Sequence, residues 1–375
     1  MLRLIIPFTR SSSLGQISMC EHAYFLVYNL GMDNPPNVKT QQGTAAHKVL
    51  ECLAIGKKYI QDNPGCKQVI INDDALGELT YDMSAWNEKR QLSELDIAKI
   101  NSTRVNKDTY KYNVDLSGEV WRRGESIVND LIERSIQVFS NDNWKPVDKK
   151  NVNNYVWIVL ENEKFDPRNQ NIVQPERHFQ IDIDREWAKY EYEWDGQIHR
   201  GTYGIKGTMD LTIQLDENTI EIIDYKTGQR KDWANDKVKE YEDLCKDKQL
   251  MLYYYAANQL YPDKTIIITI FFIRDGGPFT ICFEPHHVFE MEEILKKHYL
   301  EVSANQFPKM RSPKQTDFQC NKLCWFYKNK QPGSDKNICQ FIHDEIEKVG
   351  LDEVTTKFKK EGFNPSYYHC PGNIT

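Results

Sequence analysis

Residues 204–228, GIKGTMDLTIQLDENTIEIIDYKTG, carry the pattern of a β-hairpin. Leu211, Ile213 and Leu215 alternate with polar neighbours, Asp216-Glu217-Asn218 makes a polar turn, and residues 220–223 form an apolar strand running into Asp224-Tyr225-Lys226-Thr227-Gly228. Period-two alternation sets Asp224 and Lys226 on one face, about 7 Å apart along the strand. Asp210 heads the neighbouring strand, so two carboxylates and a lysine meet at one end of a sheet.

The same reading extends along the chain. Residues 11–31 predict a helix after a serine run, carrying Cys20, Tyr24, Phe25 and Tyr28 and stopped near Gly31 by Asn34-Pro35-Pro36. A second helix, starting around Gly43-Thr44, sets His47 and Glu51 on one face at i, i+4. Residues 60–150 read as a helical insertion or lobe without a chemical constellation. From Asn154 the pattern predicts strands, in YVWIVLENEKF, IVQPERHFQIDI and KYEYEW. A helix over 236–260 pairs Gln249 with Tyr253, and Pro262 ends it. Strands over 265–273 and 279–283 flank the turn Asp275-Gly276-Gly277-Pro278, and helices follow over 289–302 and 344–362. The expected fold is α/β, a mixed central sheet flanked by helices. Its expected segments are N-terminal helices (1–58), insertion (59–150), core (151–304), a basic Cys-rich element (305–345) and a tail (346–375).

Composition narrows the class. The chain has 375 residues, 40% of them hydrophobic, 27% charged and 20 of them tyrosine, which describes an ordinary globular protein. The apolar run over 265–273 is strand-sized, and MLRLIIPF is interrupted too early for a secretory signal, so a cytoplasmic location is expected. A net charge of −7 excludes a protein coated in positive charge, but nucleic-acid binding needs only a local patch. One candidate comprises Lys309, Arg311, Lys314, Lys322, Lys328 and Lys330, with Trp325-Phe326-Tyr327 beside it, able either to stack on unpaired bases or to pack the segment onto its domain.

Hydrolysis of a phosphodiester requires an activated water and neutralisation of developing charge, both available from Mg²⁺ or Mn²⁺ held by carboxylates and a carbonyl. Asp210, Asp224 and the Tyr225 carbonyl suit such an ion, and Lys226 could orient or deprotonate the water. Alone, D-x-K is a common surface ion pair. Its company changes that: His47, Glu176, Asp210, Asp224-x-Lys226 and Gln249-x₃-Tyr253 follow in order, each on a suitable element.

This order resembles the PD-(D/E)XK nuclease superfamily, in particular its RecB-type branch, which includes CRISPR-associated exonucleases and phage nucleases. The matching motifs are GTAAHKVLE, PERHF, GTMD, DYKTG and QLMLY, spread over residues 11–56 and 172–340. The resemblance implies a restriction-endonuclease-like core and a metal-dependent DNase, exonucleolytic or end-processing, acting on single strands or duplex ends. His47, Asp210 and Asp224 would bind metal, Lys226 would be catalytic, and Gln249 and Tyr253 would support the site or contact DNA. Glu176 matches more loosely and Glu51 more loosely still. The sequence carries no helicase motif and no G-x-x-x-x-G-K-[ST] loop, so any ATP-driven translocation is expected from a partner, such as a helicase or recombination protein. The competing class is a non-catalytic DNA-end-binding scaffold.

Nine cysteines include a cluster, Cys320, Cys324 and Cys339. The resemblance implies a [4Fe-4S] cluster bound by these three and Cys20, although C-x₃-C with a 14-residue gap departs from the family's shorter spacing. Cys320, Cys324, Cys339 and His343 would instead suit zinc, and reduced thiols are the third reading.

Overall fold

The computed structural model describes residues 7–35, 38–104, 116–140, 146–194, 197–232, 237–275, 277–303, 307–311 and 317–363. Its centre is a six-stranded mixed sheet formed by β1 (Phe8–Thr9), β2 (Ile172–Asp182), β3 (Gly204–Asp216), β4 (Thr219–Lys226), β5 (Thr265–Phe272) and β6 (Gly277–Ile281). The predicted hairpin is present as β3 and β4, antiparallel from Asp216↔Thr219 to Leu211↔Ile223. Strand β5 runs parallel to β4 as far as Lys226↔Phe272, and β6 returns antiparallel to β5. One edge of β3 is covered by β2, from Ile172↔Ile213 to Asp182↔Gly204. On the other edge β4 ends its pairing at Leu211, while β1 pairs only with Gly204 and Ile205, leaving a notch in the sheet over 206–210.

Helices cover both faces. On one face α1 (Val38–Asp62) and α2 (Lys149–Leu160) pack with the helix Glu125–Phe139 against Leu211, Ile213, Ile223, Tyr225 and Phe271. On the other, α3 (Lys248–Leu260) and α4 (His286–Ser303) pack against Ile205, Met209, Ile222, Ile268 and Ile270. Met209 and Leu211 therefore enter opposite cores although period two would give them one face. The strand turns over at Asp210. A third core joins the chain's two ends, with Phe25, Leu26 and Leu30 against Phe326, Ile342 and Ile346 of the C-terminal segment, the last two on α5 (Ile338–Val349).

Several elements depart from the sequence pattern. YVWIVL is the end of helix α2, not a strand. Its apolar run is buried on all sides, which hides helical periodicity, and Asp148 caps it by accepting from Lys150 N–H at 2.9 Å. The 60–150 region is mixed, with a hairpin (Gln68–Asp73 and Gly77–Asp82) and a second strand pair (Lys89–Gln91 and Trp121–Arg123) among its helices. The first helix breaks at Cys20, whose extended backbone separates Ser11–Met19 from Glu21–Tyr24, and a π-turn follows over Phe25–Asn29. The 236–260 helix is split into a single turn, Tyr241–Leu244, and α3, which starts at Lys248 where Asp247 accepts from Gln249 N–H, and the C-terminal helix starts at Ile338 and breaks at Gly350, φ 89°. Helix α1 starts before Gly43, and that glycine has another role. A Cβ there would lie 2.6 Å from Thr227 Oγ1, so Gly43 lets the GTAAH helix press against the DYKTG turn.

Candidate active site

The notch collects the charged motif residues. Helix α1 brings His47 to Asp210, Nδ1 to Oδ2 3.4 Å, with the imidazole edge-on to the Tyr225 ring. Where β4 leaves β3, Asp210 Oδ2 accepts from Tyr225 N–H at 2.9 Å, replacing a ladder bond by a side chain. In an antiparallel strand a residue's N–H and C=O share an edge, so the Tyr225 carbonyl faces the same cleft. That cleft is lined by His47, Glu51, Glu176, Asp210 and Tyr225.

Asp224 and Lys226 do share a face. Lys226 Nζ lies 3.0 Å from Asp224 Oδ1 and 2.8 Å from Oδ2. From the other layer, Gln249 Nε2 reaches Asp224 Oδ1 at 3.3 Å and the Tyr253 hydroxyl at 2.7 Å. Asp224 is buried, 1% exposed, and burial is the main force pushing its carboxyl up to about 6; Asp210 adds to this and Lys226 opposes it. Burial also works on the other three ionisable groups, but charge wins in each. Asp210 is held below the usual carboxylate range by His47 and Lys226, His47 is raised by Asp210, and Lys226 is raised by Asp224 and Asp210.

Two carboxylates, an imidazole and a carbonyl are a donor set for a hard divalent cation. Asp224 Oδ2 fits that role: it is buried, with the Lys226 ammonium 2.8 Å away but no hydrogen bond aligned on it. The set is not drawn tight: the ligand atoms of His47, Asp210 and Asp224 do not gather within 4.8 Å, a spacing met among the described residues by the surface groups His286/His287/Glu290 and His343/Asp344/Glu347. The Asp224 carboxylate is instead held by Lys226 and Gln249.

Beside this cluster stands a network that the sequence does not announce. Lys48, next to His47, contacts Glu51 Oε2 at 2.5 Å, Asp73 Oδ2 at 2.9 Å and Glu176 Oε2 at 3.7 Å. Burial, reinforced by the hydrogen-bonded neighbour Glu176, pushes the Glu51 carboxyl up to about 10. Glu176 stands opposite the turn-over at Asp210 and is the sole non-glycine with positive φ, 39°, among the described residues. Asp73 ends the strand Gln68–Asp73, where it reads as a turn residue because its Oδ1 also accepts from Ala75 and Leu76 N–H.

The four cysteines Cys20, Cys320, Cys324 and Cys339 line one small cavity with Met19, Ala23, Leu26 and Phe326, and none is in a disulfide. Burial pushes the Cys320 thiol up to about 11 and raises Cys324 and Cys339 as well. His343 does not line that cavity. It packs against Phe307 and His22, with Nδ1 3.8 Å from Asp344 and 3.9 Å from Glu347. Phe326, 3% exposed, belongs to the third core, so that aromatic run packs at its centre. In the basic patch Arg311 is paired with Asp317 at 2.7 Å, and Lys314 lies outside the described residues.

A central mixed sheet with helices on both faces and acids at a strand divergence is the restriction-endonuclease-like arrangement. The family model of the PD-(D/E)XK nuclease superfamily matches residues 11–327, and the chain belongs to that superfamily. A comparison with curated proteins finds no match. Among the described residues no helix is long and apolar enough to cross a membrane.

Proposed function

We propose that the chain is a divalent-metal-dependent deoxyribonuclease, exonucleolytic or end-processing. The observation that carries this reading is the meeting of His47, Asp210, Asp224 and Lys226 at one strand divergence, with Gln249 and Tyr253 behind them. Asp210, Asp224, His47 and the Tyr225 carbonyl would hold Mg²⁺ or Mn²⁺. When bound, the ion supplies Lewis-acid stabilisation of the phosphoryl oxygens and a more acidic water. Lys226, kept charged by its two carboxylates, donates hydrogen bonds toward the water and a non-bridging oxygen; the structure favours this orienting and charge-offsetting role over deprotonation. Gln249 fixes the Asp224 rotamer and is itself fixed by Tyr253. Glu176, with Glu51, closes the cleft's second wall. Labelled single- and double-stranded DNA incubated with Mn²⁺, with and without EDTA, tests the reading. Metal-dependent shortening of the strands supports it, whereas tight binding without cleavage points to the DNA-end scaffold.

A second site has its own support. Four cysteines from both chain ends on one cavity suit a [4Fe-4S] cluster, which needs four thiolates. Zinc on Cys320, Cys324, Cys339 and His343 is less well served, since His343 is turned to Asp344 and Glu347 and Cys20 is unused. Broad absorbance on the order of 400 nm, from thiolate-to-iron charge transfer, in anaerobically purified protein tests it; zinc without iron excludes it. A helicase or recombination partner would supply directed movement along DNA.

A further inference from the structure

Away from the acids, the segment after Phe165 meets the outer part of α1 and the strand Trp121–Arg123. Three cations gather here around one carboxylate. Arg168 takes both oxygens of Asp166, with Nε at 2.9 and 3.1 Å and Nη2 at 2.8 Å. That pair is buried, Asp166 being 3% and Arg168 4% exposed. Arg123 Nη2 comes only to 3.6 Å of the same carboxylate, and its Nε and Nη2 are buried with no hydrogen-bond partner. Lys57 makes no ion pair or hydrogen bond among the described residues; besides burial, what bears on it is Arg123 and Asp166. The balance is a local excess of two positive charges. Burial lowers the pKa of Lys57 and of Arg123, and each has a like charge as the next cause, Arg123 for the first and Arg168 for the second.

Unpaired guanidinium donors away from water are costly unless an anion completes them. A tetrahedral oxyanion suits them, since the guanidinium fork offers paired donors and Lys57 a point charge. The position relates to the cleft. Lys57 follows Ala54, which lines the cleft, by one helical turn, and lies about 15 Å beyond His47 at 1.5 Å per residue. The Tyr225 hydroxyl donates to the Phe165 carbonyl at 3.0 Å, so β4 braces the residue preceding Asp166.

We infer that Lys57 and Arg123, backed by Arg168, form a subsite for a backbone phosphate of the nucleic-acid strand, some nucleotides from the bond that is cut. The nuclease reading enters only in naming the strand as the source of the phosphate. The subsite positions the strand and is sequence-independent, because a phosphate carries no base identity.

The test is binding without metal. Fluorescence anisotropy of a short labelled single strand in EDTA, measured across a salt series, gives the slope of log affinity against log salt. Lys57→Gln and Arg123→Gln should each weaken binding several-fold and flatten the slope by about 0.7, the value of one single-strand phosphate contact. Arg123→Lys should recover part of both. Inorganic phosphate should raise the melting temperature of the unmodified chain more than that of Lys57→Gln. Unchanged affinity and slope in both folded Gln variants overturn the inference. So does an Arg123→Gln variant that loses its native far-UV spectrum while Lys57→Gln binds normally, since Arg123 would then be structural. Cleavage in Mn²⁺ is scored separately, and its absence in the unmodified chain would sink the nuclease reading without touching these slopes.

Discussion

The notch in the sheet and the cysteine cavity are opposite solutions to holding a charged group. At the notch every key side chain is already restrained by another: Asp210 by His47 and Tyr225 N–H, Asp224 by Lys226 and Gln249, Gln249 by Tyr253. Charge is balanced there by charge, and the side chains hold one another although the metal-ligand atoms are not drawn tight. The cysteine cavity is walled by Met19, Ala23, Leu26 and Phe326, and burial holds three of its thiols toward the protonated form. A thiolate there is offset only in part, by Arg311, which already pairs with Asp317, and at Cys324 by the backbone N–H groups of Phe326 and Tyr327 and by Lys328. On the proposed reading, the first region would receive its ion among side chains already fixed by one another, and the second would need a cluster to hold its thiolates.

Variants can separate the two regions, beginning with the largest effect. Asp210→Asn should lower metal-dependent cleavage by about 10³-fold, the scale on which removing a preorganised electrostatic group acts, with far-UV spectrum and iron content unchanged. Cys339→Ser should do the converse, cutting iron content and shifting the melting temperature down by several degrees, about 2–4 °C per kcal/mol at this chain length or less, because it loosens the join between chain ends. If instead each variant damages both regions, the contrast fails. Mn²⁺ titration against pH gives a third effect. Asp224, raised to about 6, and His47, raised above the ordinary imidazole value, both take up a proton as pH falls, so affinity should drop by up to about tenfold per pH unit for each group that protonates. Asp224→Asn should weaken binding and leave only the part of that dependence that His47 carries. The smallest effect is at Gly43. Gly43→Ala places a Cβ 2.6 Å from Thr227 Oγ1 and should cost about 1–3 kcal/mol, read as a lowered melting temperature that Thr227→Gly partly restores.

The hairpin and its chemistry were legible because they are local: a period-two pattern, a polar turn and D-x-K set three charges together within seventeen residues, 210–226. Gln249 and Tyr253 were legible as i, i+4 partners even though their helix begins later than the pattern suggests. The Lys48–Asp73–Glu176 network was not, because its members lie on three separated segments and Asp73 has the appearance of an ordinary turn residue. Helix α2 was misread for the same physical reason that buries it: a run such as Val156 to Leu160, apolar on every side, carries no period. Arg123 and Arg168 look like any surface arginines until Asp166 is seen to have only one charge for both.

The central claim is that Lys226 acts with the two acids on a metal-bound phosphodiester rather than holding the sheet end together. Single-turnover cleavage of end-labelled DNA by Lys226→Ala in saturating Mn²⁺, with DNA binding and thermal unfolding measured on the same preparation, tests it most directly. The account predicts cleavage lost by a factor of about 10² or more, with binding within a few-fold and melting within a few degrees of the unmodified chain. An unchanged cleavage rate in the folded variant would contradict it.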